Sequence, residues 1–317
     1  MMNRKVNTFI IGQPRCGTTS LYYYMKSHPQ VFLPDQKQLY HFEKDYNAYR
    51  INHGVPVHKM KGYYNYEMTD YIKNYTKLKE EEIIAEITPS YLYSKDAAQE
   101  IFSYNPHAKI IALFRRPKSY IKSIHNLLHN NNIEFIANFD DAFLASKIRY
   151  KKHYRQTLSE PKEITNYIER IKYTSQLNKY LKLFDSKNIL VLFYEDFKDD
   201  NQIVFDRICK FLSIKNYQIH KKLDKNRSRI NKNKFLNSII KSKLVGFISF
   251  SLPPKIRSFC GKLIRAITTK NNNPNNDILI NSSLIEIEKK EISTFANLLK
   301  EYGFISNIND LFEKWKA

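Results

Sequence analysis

The stretch FIIGQPRCGTTSL, residues 9–21, constrains the fold of this chain more than any other. Its apolar opening reads as a buried strand, its centre as a glycine-bracketed turn, and SLYYYMKSH after it as a helix opened by hydroxyl residues. Such a turn aims backbone N–H groups and a helix N-terminus at one spot, which makes an anion site. Gly12 and Gly17 have the spacing of a P-loop. Thr18 stands where a nucleoside triphosphatase carries its lysine, and Thr19 follows. Arg15 is the cation that remains inside the loop. Cys16 reads as a small space-filling residue, with no histidine beside it to make it a nucleophile. The bland alternative is an ordinary helix cap after a strand.

Strands and helices then alternate. Val31–Pro34 is a short extended segment, followed by a polar and titratable cluster, Lys37-Gln38-Leu39-Tyr40-His41-Phe42-Glu43. Residues 44–79 are tyrosine-rich and read as a substrate-side excursion with short helices. IIAEI is a second strand, with a Thr-Pro turn and a helix through Ile101. KIIALF is a third, ending in Arg115-Arg116-Pro117, and the helix after it carries Ser123. Residues 128–165 are polar, with helices and loops. Helical spacing runs from Ile168 to Phe184, a fourth strand from Asn188 to Phe197, and a further helix over NQIVFDRICKFLSI. The expected fold is therefore α/β: a P-loop-like parallel sheet flanked by helices, with a helical C-terminal region. One domain is expected over 1–317, with an α/β core over roughly 1–213 and a basic, mostly helical part over 214–317. Leu284–Tyr302 reads as an amphipathic helix and Trp315 as the anchor of the tail.

The formal net charge is +21, which implies anionic partners. Residues 221–270 alone hold 14 Lys and Arg against one acid, Asp224. Part of this excess simply solvates the surface. No apolar run is long enough to span a bilayer. The segment LVGFISF beside lysines reads as a weak interfacial helix at an anionic membrane. Three scattered cysteines indicate a reducing compartment and neither a disulfide framework nor a metal site. No secretory leader is expected, and the location is cytoplasmic, with that peripheral membrane contact. A P-loop ATPase shows an Asp for Mg²⁺ at the end of a neighbouring strand. Arginines occupy that place here, so the anion is held directly and no metal is expected.

At this point the motifs carry a family resemblance. The chain resembles the sulfotransferases that use 3′-phosphoadenosine 5′-phosphosulfate (PAPS), especially bacterial and carbohydrate-type members, from Phe9 to Trp315. GQPRCGTTSL resembles the 5′-phosphosulfate loop, with Arg15 where many members carry Lys. RRPKSYIKS resembles the 3′-phosphate motif, with Arg115, Pro117 and Ser123 in place. Lys37 to Phe42 resembles K-E-x-x-x-F, Glu86 to Leu92 resembles E-x-[ST]-P-x-Y-L, and LVLFYEDF resembles the L-x-x-x-Y-E-D-[LF] strand.

The resemblance implies the roles. Arg15 would neutralise the bridging oxygen, and Cys16, Gly17, Thr18, Thr19 and Ser20 would hold the 5′-phosphate. Arg115 and Ser123 would hold the 3′-phosphate. Tyr173 lies where the family places an aromatic near the adenine, and Asn226 to Arg229 resembles a loop that closes over the 3′-phosphate. Lys37 would assist the leaving oxygen. Glu195-Asp196 would tie loops together. In one position the chain departs from its relatives: Gln38 stands where they place a catalytic glutamate, and an amide cannot act as a base. His41, Glu43 and Glu86 are the candidate replacements, His41 ahead of Glu86 on the expectation that a helix puts His41 on one face with Gln38. The expected function is sulfuryl transfer from PAPS to a hydroxyl or amine, most simply of a saccharide glycan. The alternatives are a P-loop kinase or NTPase, and a non-catalytic basic module for nucleic acid or membrane. Nucleic acid is not the expected partner.

Overall fold

The computed structural model describes residues 4–45, 67–131, 133–151, 165–219, 229–231, 269–271 and 282–316. Five strands form one parallel sheet: β1 (Thr8–Gly12), β2 (Val31–Phe32), β3 (Ile83–Ile87), β4 (Lys109–Phe114) and β5 (Ile189–Phe193). Their order is β2-β3-β1-β4-β5. Ile10 stands opposite Ile87 on one side and Ile111 on the other, and Phe114 stands opposite Phe193. The runs TFIIG and IIAEI are buried throughout, as strands covered on both faces must be.

Alternate side chains serve opposite faces. Ile10, Ile111 and Leu113 pack with Leu21 and Met25 of α1 (Thr18–Ser27) and with Phe205 and Ile208. Phe9, Ile11, Ala112 and Phe114 face a larger core that holds Tyr91, Tyr120, Ile121 and the C-terminal residues Phe295 and Trp315. The remaining helices in chain order are α2 (Met68–Lys73), α3 (Ala97–Tyr104), α4 (Pro117–Asn130), α5 (Phe139–Lys151), α6 (Tyr167–Arg170), α7 (Tyr173–Leu181), α8 (Tyr194–Asp199), α9 (Asn201–Leu212), α10 (Ser282–Glu301) and α11 (Ile308–Trp315). Two short strands, β6 (Arg229–Asn231) and β7 (Thr269–Asn271), pair antiparallel.

The connection after β1 runs to one side of the sheet and the connection after β4 to the other. Their loops therefore part at the carboxyl ends of these two neighbours, the place where open α/β sheets bind ligands.

Several boundaries differ from the sequence reading. The fourth apolar run ends as a strand at Phe193, and Tyr194 already opens α8, whose first turn carries Glu195 and Asp196. The helix expected over 168–184 is two, α6 and α7, with Ile171 and Lys172 between. The Thr-Pro turn leads into a 3-10 turn, Pro89–Leu92, before α3 begins. The segment around Gln38 and His41 is no helix: Gln38 and Tyr40 have φ of 66° and 61°. The interfacial segment LVGFISF and the residues Asn226–Ser228 lie outside the described residues.

Candidate functional site

The loop after β1 is shaped by two contacts that a side chain would obstruct. A Cβ on Gly12 would lie 2.4 Å from the Leu113 carbonyl oxygen, and one on Gly17 would lie 2.8 Å from the Phe197 ring. Gly17 also has φ 83°, a left-handed value that suits glycine, and it is the N-cap of α1. The Gln13 amide side chain donates to Oε1 of Gln176 at 2.9 Å, tying the loop to α7. That buried pair carries no motif by which the sequence would betray it. Cys16 is wholly buried, and burial pushes its thiol far above the ordinary range, so it fills space as expected.

The structure brings the expected anion ligands together. Arg15 Nε donates to Ser123 Oγ at 3.2 Å, across from the loop to α4. Arg115 Nη1 donates to the Arg15 carbonyl at 3.1 Å. The Lys37 ammonium donates to Thr19 Oγ1 at 2.9 Å and lies 3.5 Å from Thr18 Oγ1. Thr18 and Ser20 are buried in the first turn of α1. Three cations thus converge, and among the described residues no carboxylate forms an ion pair with any of them. Burial pushes the Lys37 ammonium down to about 8. Burial, and then the neighbouring Arg115, holds Arg15 below its usual value. Arg115 Nε is buried without a hydrogen-bond partner. An unpaired buried donor is unfavourable, and an incoming phosphate oxygen would satisfy it.

Arg115 is held from several sides. Its guanidinium lies 4.5 Å from the centre of the Tyr194 ring. Its carbonyl accepts from the Tyr173 hydroxyl at 2.8 Å. This corrects the expectation for Tyr173: it is fully buried among Phe114, Tyr120, Phe295 and Trp315, so its ring has no face for an adenine. The half-buried aromatic beside Arg115 is Tyr194, which sequence reasoning did not single out. Glu195 accepts from the Arg116 backbone N–H and, through its other oxygen, from the Trp315 indole. Glu288 of α10 accepts from the Lys118 N–H at 3.0 Å and caps α4. Of Arg229 the structure gives backbone alone, in β6, so its proposed phosphate contact lies outside the described side chains.

All three candidate bases are buried. His41 is 2% exposed and stacks on Tyr71 at 4.6 Å. Glu86 is 1% exposed; Thr88 and Tyr91 donate to its Oε1 at 2.6 and 2.7 Å, and Tyr71 donates to Oε2 at 2.8 Å. Burial raises its carboxyl pKa, against these bonds. The same hydroxyls reach onward: Thr88 Oγ1 accepts from Leu39 N and Tyr91 OH from Phe42 N. Glu86 therefore anchors the segment that carries Lys37 and Gln38. Glu43 is likewise buried, with Ser90 donating to its Oε2 at 2.6 Å.

Comparison with known proteins bears on the family and the fold. The sequence profile described as the sulfotransferase family matches residues 8–218. A membrane-associated sulfotransferase, kil1 of Dictyostelium discoideum, is 27% identical over 169 residues, which is 50% of this chain and 33% of that protein. The chain thus spans about a third of that curated relative's length. The crystal structure of a sulfotransferase from Alicyclobacillus acidocaldarius superposes with a TM-score of 0.56 at 21% identity, covering 70% of this chain and 87% of that one. Mouse sulfotransferase SULT7A1 complexed with PAP gives a TM-score of 0.42 at 15% identity, covering 90% of this chain and 89% of that one.

Proposed function

The chain belongs to the sulfotransferase family, and from that premise we propose that it transfers a sulfuryl group from PAPS to a hydroxyl or amine acceptor. The observation that carries the cosubstrate is the buried, unpartnered Nε of Arg115 beside Arg15 and Ser123. When bound, PAPS would supply the activated sulfuryl group and a phosphate leaving group. The residues then divide the work. Arg115 and Ser123 would read the 3′-phosphate. Arg15, Lys37, the α1 hydroxyls and the N–H groups from Gly17 to Ser20 would hold the 5′ end and offset charge on the leaving oxygen. Lys37 supports this reading because a lysine with a pKa of about 8 becomes fully charged when an anion arrives beside it.

The saccharide class of acceptor comes from the family resemblance alone. We infer one domain over 1–317, because Leu284, Phe295 and Trp315 share the core of the sheet. No helix among the described residues is long and apolar enough to cross a membrane. The location proposed is cytoplasmic with peripheral contact at an anionic membrane, supported by the net charge of +21 and by a relative described as membrane-associated. No metal and no nucleic acid enter the proposed reaction.

Calorimetry with adenosine 3′,5′-bisphosphate (PAP) and AMP tests the cosubstrate. PAP is expected to bind at least tenfold more tightly, and Arg115→Ala to abolish the difference with the fold intact. Equal affinities in the natural protein would remove the reading. Transfer from labelled PAPS to a panel of glycans, phenols and amines then tests the acceptor.

A further inference from the structure

Gln38 departs from its relatives in chemistry, and the structure shows that it is also held in an unusual conformation. Side-chain-bearing residues with positive φ among those described are Arg15, Gln38, Tyr40, Ser213 and Lys316. Ser213 and Lys316 close helices, an ordinary use of that conformation. The other three lie in the anion loop and in the segment facing it. Such strain persists only where the surroundings hold it, and it gathers at functional sites. The holding groups are visible: Lys37 is pinned on Thr19 before Gln38, and the Leu39 N–H on Thr88 after it.

The Tyr40 hydroxyl donates to Oε1 of Gln38. That bond fixes which way the amide points, engages one lone pair of its oxygen, and leaves Nε2 with two donors and no partner among the described residues. Gln38 is half-buried and follows Lys37, whose ammonium sits on the loop hydroxyl of Thr19. A site lined by donors cannot take a proton from an alcohol. It can hold an oxyanion, which has three lone pairs and keeps one for attack while N–H groups bind the others. It suits a neutral amine poorly, because an N–H bond to its single lone pair removes the nucleophile. Among the described residues the candidate replacement bases Glu86, Glu43 and His41 are all buried, and residues 46–66 contain no Asp or Glu.

Resting on the sulfotransferase reading above, we propose that Gln38 is a specificity-determining residue, locked by Tyr40 as a donor, and that the acceptor is an acidic hydroxyl, phenolic or enolic, that reacts as its oxyanion. The acceptor oxygen's electron pair forms the new O–S bond. The bond from sulfur to the bridging phosphate oxygen breaks, and its pair leaves on that oxygen as PAP departs, next to Arg15 and Lys37. No proton is transferred in the step, so no base is required. Ordinary sugar alcohols become the disfavoured acceptors.

The test is transfer from PAPS by the full chain to para-nitrophenol, phenol and an aliphatic alcohol across neutral and alkaline pH. At saturating PAPS, which keeps Lys37 charged, the rate for each phenol is expected to rise about tenfold per pH unit up to that phenol's own pKa and then level, with the alcohol at least about a hundredfold slower. Gln38→Glu restores a base and should raise alcohol transfer by roughly 10²-fold while lowering transfer to para-nitrophenolate through like-charge repulsion. Tyr40→Phe frees the amide and should raise the KM for phenolates without changing PAP affinity. Alcohol turnover equal to that of para-nitrophenol in the natural protein overturns the proposal, as does an unchanged acceptor ratio in Gln38→Glu. So does loss of transfer in His53→Ala or His58→Ala with PAP binding intact, since a base would then come from those residues. Should Gln38→Glu fail to fold, the natural protein's pH profile and Tyr40→Phe decide alone. Absence of PAP binding defeats the sulfotransferase reading itself; PAP binding without the acceptor pattern defeats this proposal only.

Discussion

Trp315 donates its indole N–H to Oε2 of Glu195 at 3.1 Å, while Oε1 of the same carboxylate accepts the Arg116 N–H at 3.1 Å. A residue two from the end of the chain is thus one side chain away from the arginine loop. Trp315 itself lies beyond residues 8–218, where the family profile ends. Glu288 and Glu291 of α10 act in parallel, capping α4 through the Lys118 N–H and α7 through the Thr174 N–H. The C-terminal helices therefore brace the elements that carry Arg115, Ser123 and Tyr173.

Trp315→Phe isolates that brace. A phenyl ring keeps the stack on Phe295 and the edge contact with Phe193, but the N–H is lost. A hydrogen bond to a charged group contributes about 1.5–3 kcal/mol. Affinity for PAP is expected to fall several-fold while affinity for AMP stays level, because the 3′-phosphate side alone is loosened. Calorimetry with both ligands reads the ratio, and a thermal melt separates it from global loss of stability. An unchanged ratio would make the Trp315 bond purely structural.

Gly17→Ala tests the loop itself. The new Cβ meets the Phe197 ring at 2.8 Å on a backbone with φ 83°. Left-handed strain costs of the order of 1–3 kcal/mol for a residue with a side chain. Phe197→Leu in the same chain should recover the steric share and leave the backbone share. Denaturant midpoints of the two single variants and the double variant measure the coupling, and strictly additive effects would mean that the ring contact is not what requires glycine.

Much of this architecture is legible in the sequence, for physical reasons that differ by element. Buried parallel strands are near-continuous apolar runs, so IIAEI and KIIALF announce themselves. Arg15, Arg115, Ser123 and Lys37 meet because loops after neighbouring parallel strands must converge at one sheet end. The exit from β5 was misread because Tyr194 and Phe197 continue the apolar run into the first turn of α8. The role of Tyr173 was misread because nothing local tells a buried tyrosine from a ligand-facing one; Phe295 and Trp315, which cover it, come more than a hundred residues later. His41 misleads in the same way: its helix partner relation to Gln38 fails because the backbone turns left-handed at Gln38 and Tyr40 and is pinned by Thr88 and Tyr91.

Lys37 gives a pH signature with a defined sign. Its pKa is lowered from 10.5 to about 8 by burial near Thr18 and Thr19, with no carboxylate pair to offset it. A bound 5′-phosphate beside the ammonium favours the charged form, so the pKa in the complex lies higher than in the free protein. Below pH 8 the lysine is protonated in both states and affinity for PAP is flat on this account. Above pH 8 the free protein has released the proton that the complex retains, so binding takes up a proton and affinity falls by at most about tenfold per pH unit. Calorimetry in two buffers of different ionisation enthalpy measures the uptake directly. In Lys37→Met the uptake should vanish and the alkaline decline flatten, while Arg115→Ala should keep both. Uptake that persists in Lys37→Met would assign the titration to another group and remove Lys37 from the phosphate site.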